Sequence, residues 1–408
     1  MNEYTQPRID NRNLSSLPDK TYDVLIVGAG PAGSSCAAYL ARHGHRVLLV
    51  DRKAFPRDKP CGDCLLPDAQ RSLTDLKVLE SVSRAGRILE NATVYSPSGY
   101  SFDVPGTYIT CPRERLDTIL LDRAIRDGVS FAVADVDELK VEDDTTVAGH
   151  DRVTGETVRA PLAVVATGYH ASLARASGLL QNSVPYAIAR RRYVRSNYRL
   201  DRMVLMYGKR IAPGYMWIIP VGPELYNVGC GVINLPHLNT SRLLRRAERF
   251  IAEESEHGRE LMAHGEPVSP VHGAALRCQL IGLPPVSRGR ILAVGEIMGT
   301  TFPFTGEGIG KALESGRLAA SVIDRAKRRA NYRIVSDYSA MVDSQLRPQY
   351  RGYIRAQRWL TRPSINDFLA KRIQRSTYLQ QEFARFMQQT GDPRRVFALG
   401  EIIKSYFK

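Results

Sequence analysis

The chain has 408 residues and carries 57 Lys and Arg against 42 Asp and Glu, which gives a net charge of +15. The length is sufficient for two domains, and a composition with 43% hydrophobic and 24% charged residues excludes disorder over the whole chain. The excess of positive charge predicts an acidic partner, for which phosphate, a phospholipid surface, nucleic acid and an acidic protein are the candidates.

The N-terminal segment 1–20 is polar and without periodicity, which predicts a flexible tail. It has no apolar core of the kind found in a signal peptide, and the chain contains no run of about 18 apolar residues. The six cysteines show no spacing typical of a disulfide framework. We therefore expect a cytoplasmic protein without a transmembrane helix, and peripheral contact with a membrane stays open.

The segment from residue 22 to Asp51 predicts a βαβ unit that binds a dinucleotide. Val24–Val27 is a continuous apolar run, typical of a buried parallel strand. Gly28, Gly30 and Gly33 follow as G-x-G-x-x-G at the start of a small-residue helix, and a second apolar strand ends at Asp51. Such glycines bring backbone N–H groups and a helix N-terminus to a pyrophosphate, while the aspartate accepts hydrogen bonds from ribose hydroxyls.

The remaining elements are predicted from residue periodicity and from the positions of Gly and Pro. They are a long loop over 52–70, an amphipathic helix over 115–127, short strands over 129–167, a half-exposed antiparallel sheet over 184–235, a buried strand over 290–294, a helix starting near Gly308, and helices from about residue 317 to the end. Strands interleaved with helices indicate an α/β protein.

Three features favour FAD over NAD as the dinucleotide. The glycine motif lies near the N-terminus of a chain of this length, and Thr167-Gly168 forms a second turn after an apolar strand. Glu296 follows another apolar strand, where its carboxylate can bind a ribityl hydroxyl, and a glycine-rich helix start with Gly306 and Gly308 comes shortly after it. Backbone N–H groups at such a helix start stabilise the negative charge of reduced flavin.

Residues 20–320 resemble the flavoprotein superfamily of aromatic hydroxylases, geranylgeranyl reductases and flavin-dependent halogenases, and in particular the geranylgeranyl reductase family. The segments that carry this narrower resemblance are Phe55–Gly62, Gly214–Pro220 with Asn227–Gly229, and Gly306–Ile309. The resemblance implies an α/β fold with a Rossmann-type FAD-binding domain and an inserted antiparallel β-sheet domain for substrate. The FAD-binding domain would be hydroxylase-like, with three layers in the order ββα.

We accordingly expect the chain to be divided into discontinuous domains. The expected parts are the tail 1–20, an FAD-binding domain over 21–85, 111–180 and 285–325, a substrate-binding domain over 86–110 and 181–284, and a basic helical C-terminal region over 326–408.

The resemblance also implies which residues touch FAD. They are Gly28, Gly30 and Gly33 at the pyrophosphate, Asp51 and Arg52 at the adenosine, Val136 at the adenine, Arg113 reaching back to the cofactor, Cys61 and Gly62 along the flavin, and Glu296, Gly306, Gly308 and Ile309 at the ribityl and ring end. The chain departs from the family at Glu296, where Asp is usual, and at Thr167, where hydroxylases more often have Asp.

Two further departures separate the chain from the halogenases. Their His-x-Gly-Glu-Ser is replaced by the segment Lys59–Asp63, and one tryptophan of their Trp-x-Trp-x-Ile-Pro is replaced by Tyr215. We therefore predict a reductase that transfers a hydride from reduced flavin to an isolated C=C bond of a prenyl or similar apolar substrate. A flavin-dependent monooxygenase, halogenase or dehydrogenase of specialised metabolism is the alternative, with a carrier-protein-bound substrate as one option for it. A flavin-binding docking module for an acidic partner is an alternative of another class.

Cys61, Tyr215 and Trp217 are the candidate catalytic residues. The two aromatic side chains would form the wall of an apolar tunnel, although ordinary sheet packing explains them equally well. Cys61 and Cys64 also form C-x-x-C, which leaves dithiol redox chemistry open, whereas no second ligand pair for a metal site is found. Asp63, Glu296 and Glu307 are interpreted as flavin contacts rather than as a paired acid and base.

The electron donor and the partner are less defined. No second G-x-G-x-x-G is found, so NAD(P)H would bind transiently, or ferredoxin or a separate reductase would supply electrons.

Residues 317–408 contain 19 Lys and Arg and 7 Asp and Glu, a net +12. This basic region predicts contact with an anionic membrane surface, an acidic carrier protein or a substrate diphosphate, with a solvated helix face as the alternative; no nucleic-acid-binding motif accompanies it.

Overall fold

A computed structural model describes residues 4–17, 21–180, 186–209, 211–278, 280, 286–360, 362–391, 400 and 404. The strands are β1 (Val24–Val27), β2 (Val47–Asp51), β3 (Cys64–Leu65), β4 (Arg87–Tyr95), β5 (Ser101–Thr110), β6 (Ser130–Val133), β7 (Val136–Val141), β8 (Val147–Asp151), β9 (Thr157–Ala160), β10 (Leu162–Val165), β11 (Ala187–Ser196), β12 (Met203–Tyr207), β13 (Gly214–Pro220), β14 (Leu225–Ile233), β15 (Gly265–Pro267), β16 (His272–Leu276), β17 (Ser287–Arg288) and β18 (Ile291–Ala293).

The helices account for much of the chain outside the sheets. They are α1 (Pro31–Arg42), α2 (Pro67–Asp75), α3 (Leu79–Ala85), α4 (Arg113–Arg126), α5 (Ser172–Ala176), α6 (Thr240–Arg249), α7 (Glu256–Ala263), α8 (Ile309–Arg328), α9 (Asp337–Gln345), α10 (Arg347–Leu360), α11 (Pro363–Gln374) and α12 (Thr377–Met387), with short 3₁₀ turns at Leu14–Ser16, Gly295–Met298 and Tyr332–Ser336 and a π-helical turn at Phe250–Glu254.

A mostly parallel sheet forms the centre of the dinucleotide-binding part. Among the described strands its order is β17-β18-β10-β1-β2-β6, and only the β17–β18 pair is antiparallel. The side chains of β1, β2 and β10 are all buried, which explains why these strands are continuous apolar runs. On this sheet α1 packs along α8 at very close range, because a Cβ at Gly316 would overlap the carbonyl oxygen of Ala32.

A large sheet that is mainly antiparallel lies beside it. The described strands are ordered β15-β11-β14-β13-β12-β4-β5-β3, with β16 paired to β11, and β12 and β4 run parallel. Segments distant in sequence, the β4–β5 hairpin and β11–β14, therefore belong to one sheet. A third sheet of the described strands has the order β7-β8-β9. The predicted α/β fold with an FAD-type parallel sheet, an antiparallel sheet and C-terminal helices is confirmed, whereas the exact domain boundaries stay predictions.

The loop predicted over 52–70 is shorter in the structure, because α2 begins at Pro67. Proline at the first helical position and Asp68 in the first turn are both favourable at a helix N-terminus, and this signal was missed. No helix among the described residues has the length and apolar character needed to cross a membrane.

The C-terminal helices pack against the loop that precedes α8. Tyr353 of α10 is only 4% exposed and stacks on Phe302 with ring centroids 3.9 Å apart. Phe386 of α12 lies 5.1 Å from Tyr353 and 5.7 Å from Phe304, measured between ring centroids. Tyr353 and Phe386 of this basic region therefore form part of the protein core.

We expect Tyr353→Ala to lower the free energy of unfolding by about 3 kcal/mol, because it leaves a cavity between α10, α12 and the loop around Phe302. Urea denaturation followed by circular dichroism measures the loss. Phe368→Ala is the control, since that ring on α11 is 46% exposed and its loss should change the free energy by less than about 0.5 kcal/mol. Equal effects of the two substitutions would show that α10 does not support this core.

Candidate active site

A cavity of about 680 Å³ opens where the carboxyl ends of the parallel strands meet the large sheet. Its lining runs from Gly28 and Asp51, past Glu296, to Trp217 of β13 and Met387 of α12. The carboxyl edge of a parallel sheet is the usual position for a nucleotide in such folds. The cavity is therefore bounded by all three parts of the molecule: the parallel sheet, the large sheet and the C-terminal helices.

The three glycines of the first turn have two structural roles. Gly28 has φ +109°, and a Cβ there would overlap the carbonyl oxygen of Ala166. Gly33 lies behind the turn and does not line the cavity; a Cβ there would overlap the carbonyl oxygen of Gly28. A Cβ at Gly30 would meet only Arg57 Nη2, at 3.8 Å. Gly28 and Gly33 thus permit close packing, while Gly30 keeps space free at the start of α1.

The adenosine end of the predicted site is built around Asp51, the last residue of β2. Its Oδ2 accepts a hydrogen bond from Ala29 N at 3.0 Å and forms an ion pair with Arg57 Nη2 at 3.1 Å. Arg52 lines the cavity with its Nη2 2.6 Å from His170 Nε2, and the buried Val136 lies in the same wall. The turn and the carboxylate are therefore placed as a dinucleotide requires.

Arg113 is the first residue of α4 and is held by Asp117 one turn later, with Nε–Oδ1 and Nη2–Oδ2 distances of 2.7 and 2.6 Å. Arg57 Nη1 reaches the same carboxylate at 3.1 Å. Burial alone would raise the pKa of Asp117, but Arg113 and Arg57 hold it below its ordinary value. Sequence reasoning found Arg113 but missed Arg57, which joins Asp51 to Asp117.

Glu296 and the start of α8 form the other end of the predicted cofactor site. Glu296 Oε2 accepts a hydrogen bond from Lys59 Nζ at 2.9 Å, a partner that sequence reasoning also missed. Gly306, Gly308 and Ile309 line the cavity, and Gly308 is the N-cap of the 20-residue helix α8. The positive end of this helix thus lies at the cavity. The glycine turn, the acidic groups and the start of α8 together form a site that fits FAD.

Aromatic side chains cover the cavity wall beside the loop that leads into α8. Tyr215 lies 5.6 Å from Trp217 and 5.8 Å from Tyr207 between ring centroids, and its hydroxyl donates to Thr305 O at 2.6 Å. Tyr207 in turn stacks on Phe304 at 6.4 Å. These side chains line the cavity, so the sheet exposes an apolar aromatic surface to it.

Asp63 joins the two sides of the cavity. It is fully buried with φ +63°, and its Oδ2 accepts hydrogen bonds from Tyr193 Oη and Asn227 Nδ2, both at 2.7 Å. Asn227 also donates to Cys61 O at 2.6 Å and accepts from Trp217 Nε1 at 2.9 Å. Burial raises the pKa of Asp63 to about 6, although these hydrogen bonds oppose the rise. The hydrogen-bond partners of Asp63 are thus side chains of the protein itself, and the sequence pattern did not reveal them.

Cys61 and Cys64 both line the cavity as free thiols. Burial, and then the negative charge of Asp63, raises the pKa of Cys61; burial followed by Glu307 raises that of Cys64. Redox-active dithiols depend on a lowered thiol pKa, so this environment disfavours the C-x-x-C redox hypothesis.

Comparison with known proteins decides the family. The sequence model of the FAD binding domain matches residues 21–188, and that of the geranylgeranyl reductase catalytic domain matches residues 187–266. A menaquinone reductase of Mycolicibacterium smegmatis is 30% identical over 356 residues, which cover 82% of this chain and 83% of that protein. The chain belongs to the geranylgeranyl reductase family. It is an FAD-dependent oxidoreductase, so the predicted cofactor is confirmed, while its electron donor stays a prediction.

Two further comparisons agree with this family. A digeranylgeranylglycerophospholipid reductase of Methanosphaera stadtmanae is 26% identical over 357 residues, 82% of this chain and 86% of that protein. A geranylgeranyl bacteriochlorophyll reductase-like structure from Thermoplasma acidophilum superposes with a TM-score of 0.76 at 20% identity, covering 95% of this chain and 96% of that one. At 20% identity, the comparison with this solved structure establishes the fold alone.

The space at Gly30 gives a direct test of the cofactor site. Gly30→Ala should fold like the wild type but weaken FAD binding at least about tenfold, since its methyl group enters the space next to the turn. Gly28→Ala should instead lose stability, because it adds left-handed backbone strain of about 1–2 kcal/mol and an overlap with Ala166. Flavin-to-protein ratios and thermal melts separate the two effects, and full FAD retention by Gly30→Ala would place the pyrophosphate elsewhere.

The buried carboxyl of Asp63 should make stability depend on pH. Because its pKa is higher in the folded protein, the stabilising contribution of Asp63 is complete below the ordinary value of 3.8 and is lost as pH rises to about 6. Across this pH window the free energy of unfolding of the wild type should fall by up to about 3 kcal/mol relative to that of Asp63→Asn. Thermal melts of both proteins at each pH measure the difference, and parallel pH curves would contradict it.

Proposed function

We propose that the protein reduces isolated C=C bonds in an isoprenoid lipid. The observation that carries the proposal is the aromatic wall of β12 and β13, which lines the cavity beside the loop that leads into α8. This wall lies within residues 187–266, the segment matched by the geranylgeranyl reductase catalytic domain. The names of the two reductase relatives, for menaquinone and for a digeranylgeranyl lipid, support a substrate with an isoprenoid chain.

The proposed cofactor position follows the cavity from the glycine turn to α8. FAD would contact Gly28 and Gly30 at the pyrophosphate, Asp51, Arg52 and Val136 at the adenosine, Glu296 at the ribityl chain, and Cys61, Gly62, Gly306, Gly308 and Ile309 around the flavin ring. Gly33 contributes indirectly, because it lets α1 pack against the turn. Arg113 is paired with Asp117, which also binds Arg57 next to Asp51.

Reduced FAD, when bound, supplies the hydride for the alkene. The protein's part is to place one alkene carbon next to the flavin and to keep water out of the cavity. Tyr215 and Trp217 are held for this task, the first by its hydrogen bond to Thr305 O and the second by Asn227. Cys61 lies beside them, fixed through its carbonyl oxygen by Asn227 Nδ2 at 2.6 Å.

The basic outer surface of the C-terminal helices suits delivery from an anionic membrane. Arg351 and Lys371 are exposed on α10 and α11, while the opposite sides of α10 and α12 are buried against the cavity loop. A prenyl lipid held at an anionic surface would thus enter next to the cavity. NAD(P)H, ferredoxin or a separate reductase remains the proposed electron donor, and an acidic carrier protein remains the alternative partner.

An anaerobic mixing experiment tests the function. The protein is reduced, then mixed with anionic vesicles that contain a polyprenyl lipid, with the fully saturated lipid as the matched control. We expect the oxidised flavin spectrum to return only with the unsaturated lipid, and mass spectrometry to find two added hydrogens per turnover. Reoxidation by oxygen alone, with a hydroxylated or halogenated product, would overturn the proposal.

A further inference from the structure

Two buried carboxyl groups lie together at the cavity wall beside the start of α8. Glu307 is 9% exposed and Asp68 is 4% exposed, and Gln389 contacts both residues, so the two carboxyl groups lie close enough for their charges to interact. Among the described residues, no donor hydrogen-bonds to Glu307 Oε1 or Asp68 Oδ2. Two carboxyl groups buried this close together repel each other when both are ionised, so the site favours a proton on one of them.

A glutamine clamps this pair from the C-terminal side. Gln389 Nε2 donates to Glu307 Oε2 at 2.9 Å, and Gln389 Oε1 accepts from Asp68 N at 3.0 Å. Gln389 adopts φ +54° directly after α12, a left-handed conformation that is unfavourable for a residue with a long side chain. The backbone strain indicates that the surrounding structure fixes this side chain in place.

The nearby charges leave the pair incompletely neutralised. Lys311 Nζ is 2.6 Å from Glu314 Oε2 but 3.5 Å from Asp68 Oδ2. Burial first, and then the Asp68 carboxyl group, raise the pKa of Glu307 well above its ordinary value, whereas Lys311 and Gln389 act in the opposite direction. The other ionisable groups that interact with the pair are Cys64, Tyr215, Tyr350 and Tyr353.

The position of the pair relates it to the reaction. Glu307 lines the cavity between Gly306 and Gly308, whereas Asp68 lies behind it outside the lining. Reduction of an isolated C=C bond needs a proton at one carbon in addition to the hydride at the other. A carboxyl group whose proton is favoured by burial and by a neighbouring acid, and which borders the substrate space, meets this need.

We propose that Glu307, supported by Asp68, is the proton donor of the alkene reduction, and this inference rests on the proposed function. The alkene takes a hydride from reduced FAD at one carbon, while its π-electron pair forms a C–H bond at the other carbon with the Glu307 proton. The O–H bond of Glu307 breaks and leaves a carboxylate near Lys311, and FAD is left oxidised. Solvent restores the proton after the product leaves.

Infrared spectroscopy tests whether the pair holds a proton, independently of turnover. At a pH above the titration of Asp63, the FAD-loaded wild type should show a protonated-carboxyl band that shifts in D₂O. The band should be absent in Glu307→Gln and in Asp68→Asn. Glu314→Gln is the matched control, because Glu314 also binds Lys311 but does not line the cavity, and it should keep the band.

The reaction itself gives the second measurement. Glu307→Gln should slow flavin reoxidation by the polyprenyl lipid at least about 100-fold with FAD content unchanged, while Glu314→Gln should not. The wild-type rate should fall as pH rises through the Glu307 pKa, and Asp68→Asn should move that fall to lower pH, because it removes the neighbouring negative charge. These pH profiles distinguish proton donation from a merely structural role.

The outcomes separate this inference from the proposed function. Wild-type rates in Glu307→Gln, or a wild type without the protonated-carboxyl band, would overturn the proton donor while alkene reduction stands. If the wild type reduces no isoprenoid lipid, the proposed function fails and the donor role fails with it, although the band still reports the protonation of the pair. If Glu307→Gln does not fold, the band and pH profile of Asp68→Asn decide.

Discussion

The structure depends on one buried charge, the carboxyl group of Asp63, at the junction of its main parts. Tyr193 of β11, Asn227 of β14 and the backbone N–H of Arg113 at the start of α4 all donate to it. A buried carboxyl group without such partners would cost several kcal/mol, so loop, helix and large sheet are held in one arrangement. Through Asn227 the same network holds Trp217 and the Cys61 backbone, which line the cavity from two different elements.

The C-terminal helices complete the cavity from outside, and they combine two kinds of surface. Their net charge of +12 over residues 317–408 suggested a partner, but Tyr353 and Phe386 turn inward and pack on Phe302 and Phe304. Arg351 and Lys371 are exposed on the outer side, while Tyr353 and Phe386 pack behind the loop whose Phe304 lines the cavity. A helix can do both because residues three or four positions apart share one side.

The sequence was informative where the determinant is local. Gly28, Gly30 and Asp51 were identified because a turn between adjacent elements specifies them, and Glu296 and Gly308 because each follows or begins a regular element. Arg57 and Lys59 lie in an irregular loop, and their partners Asp117 and Glu296 are 60 and 237 positions away, so no periodicity connects them. Gly33 belongs to the motif, yet only the structure showed that it serves packing. The carboxyl pair of Glu307 and Asp68 likewise depends on how α2 is placed against α8.

The charge balance at the start of α8 connects the cofactor with the proposed proton donor. The positive end of this helix stabilises the anionic form of reduced flavin, but it would also favour ionisation of Glu307. Burial and the neighbouring Asp68 oppose that ionisation, so in the proposed reaction Glu307 keeps its proton until reduced flavin gives up its hydride. In the proposed reaction the flavin gives up this charge with the hydride, and Glu307 acquires one as it releases its proton. The negative charge therefore passes from the flavin to Glu307 beside the same helix start, while Lys311 lies close to Asp68 and offsets the carboxylate that the pair already carries.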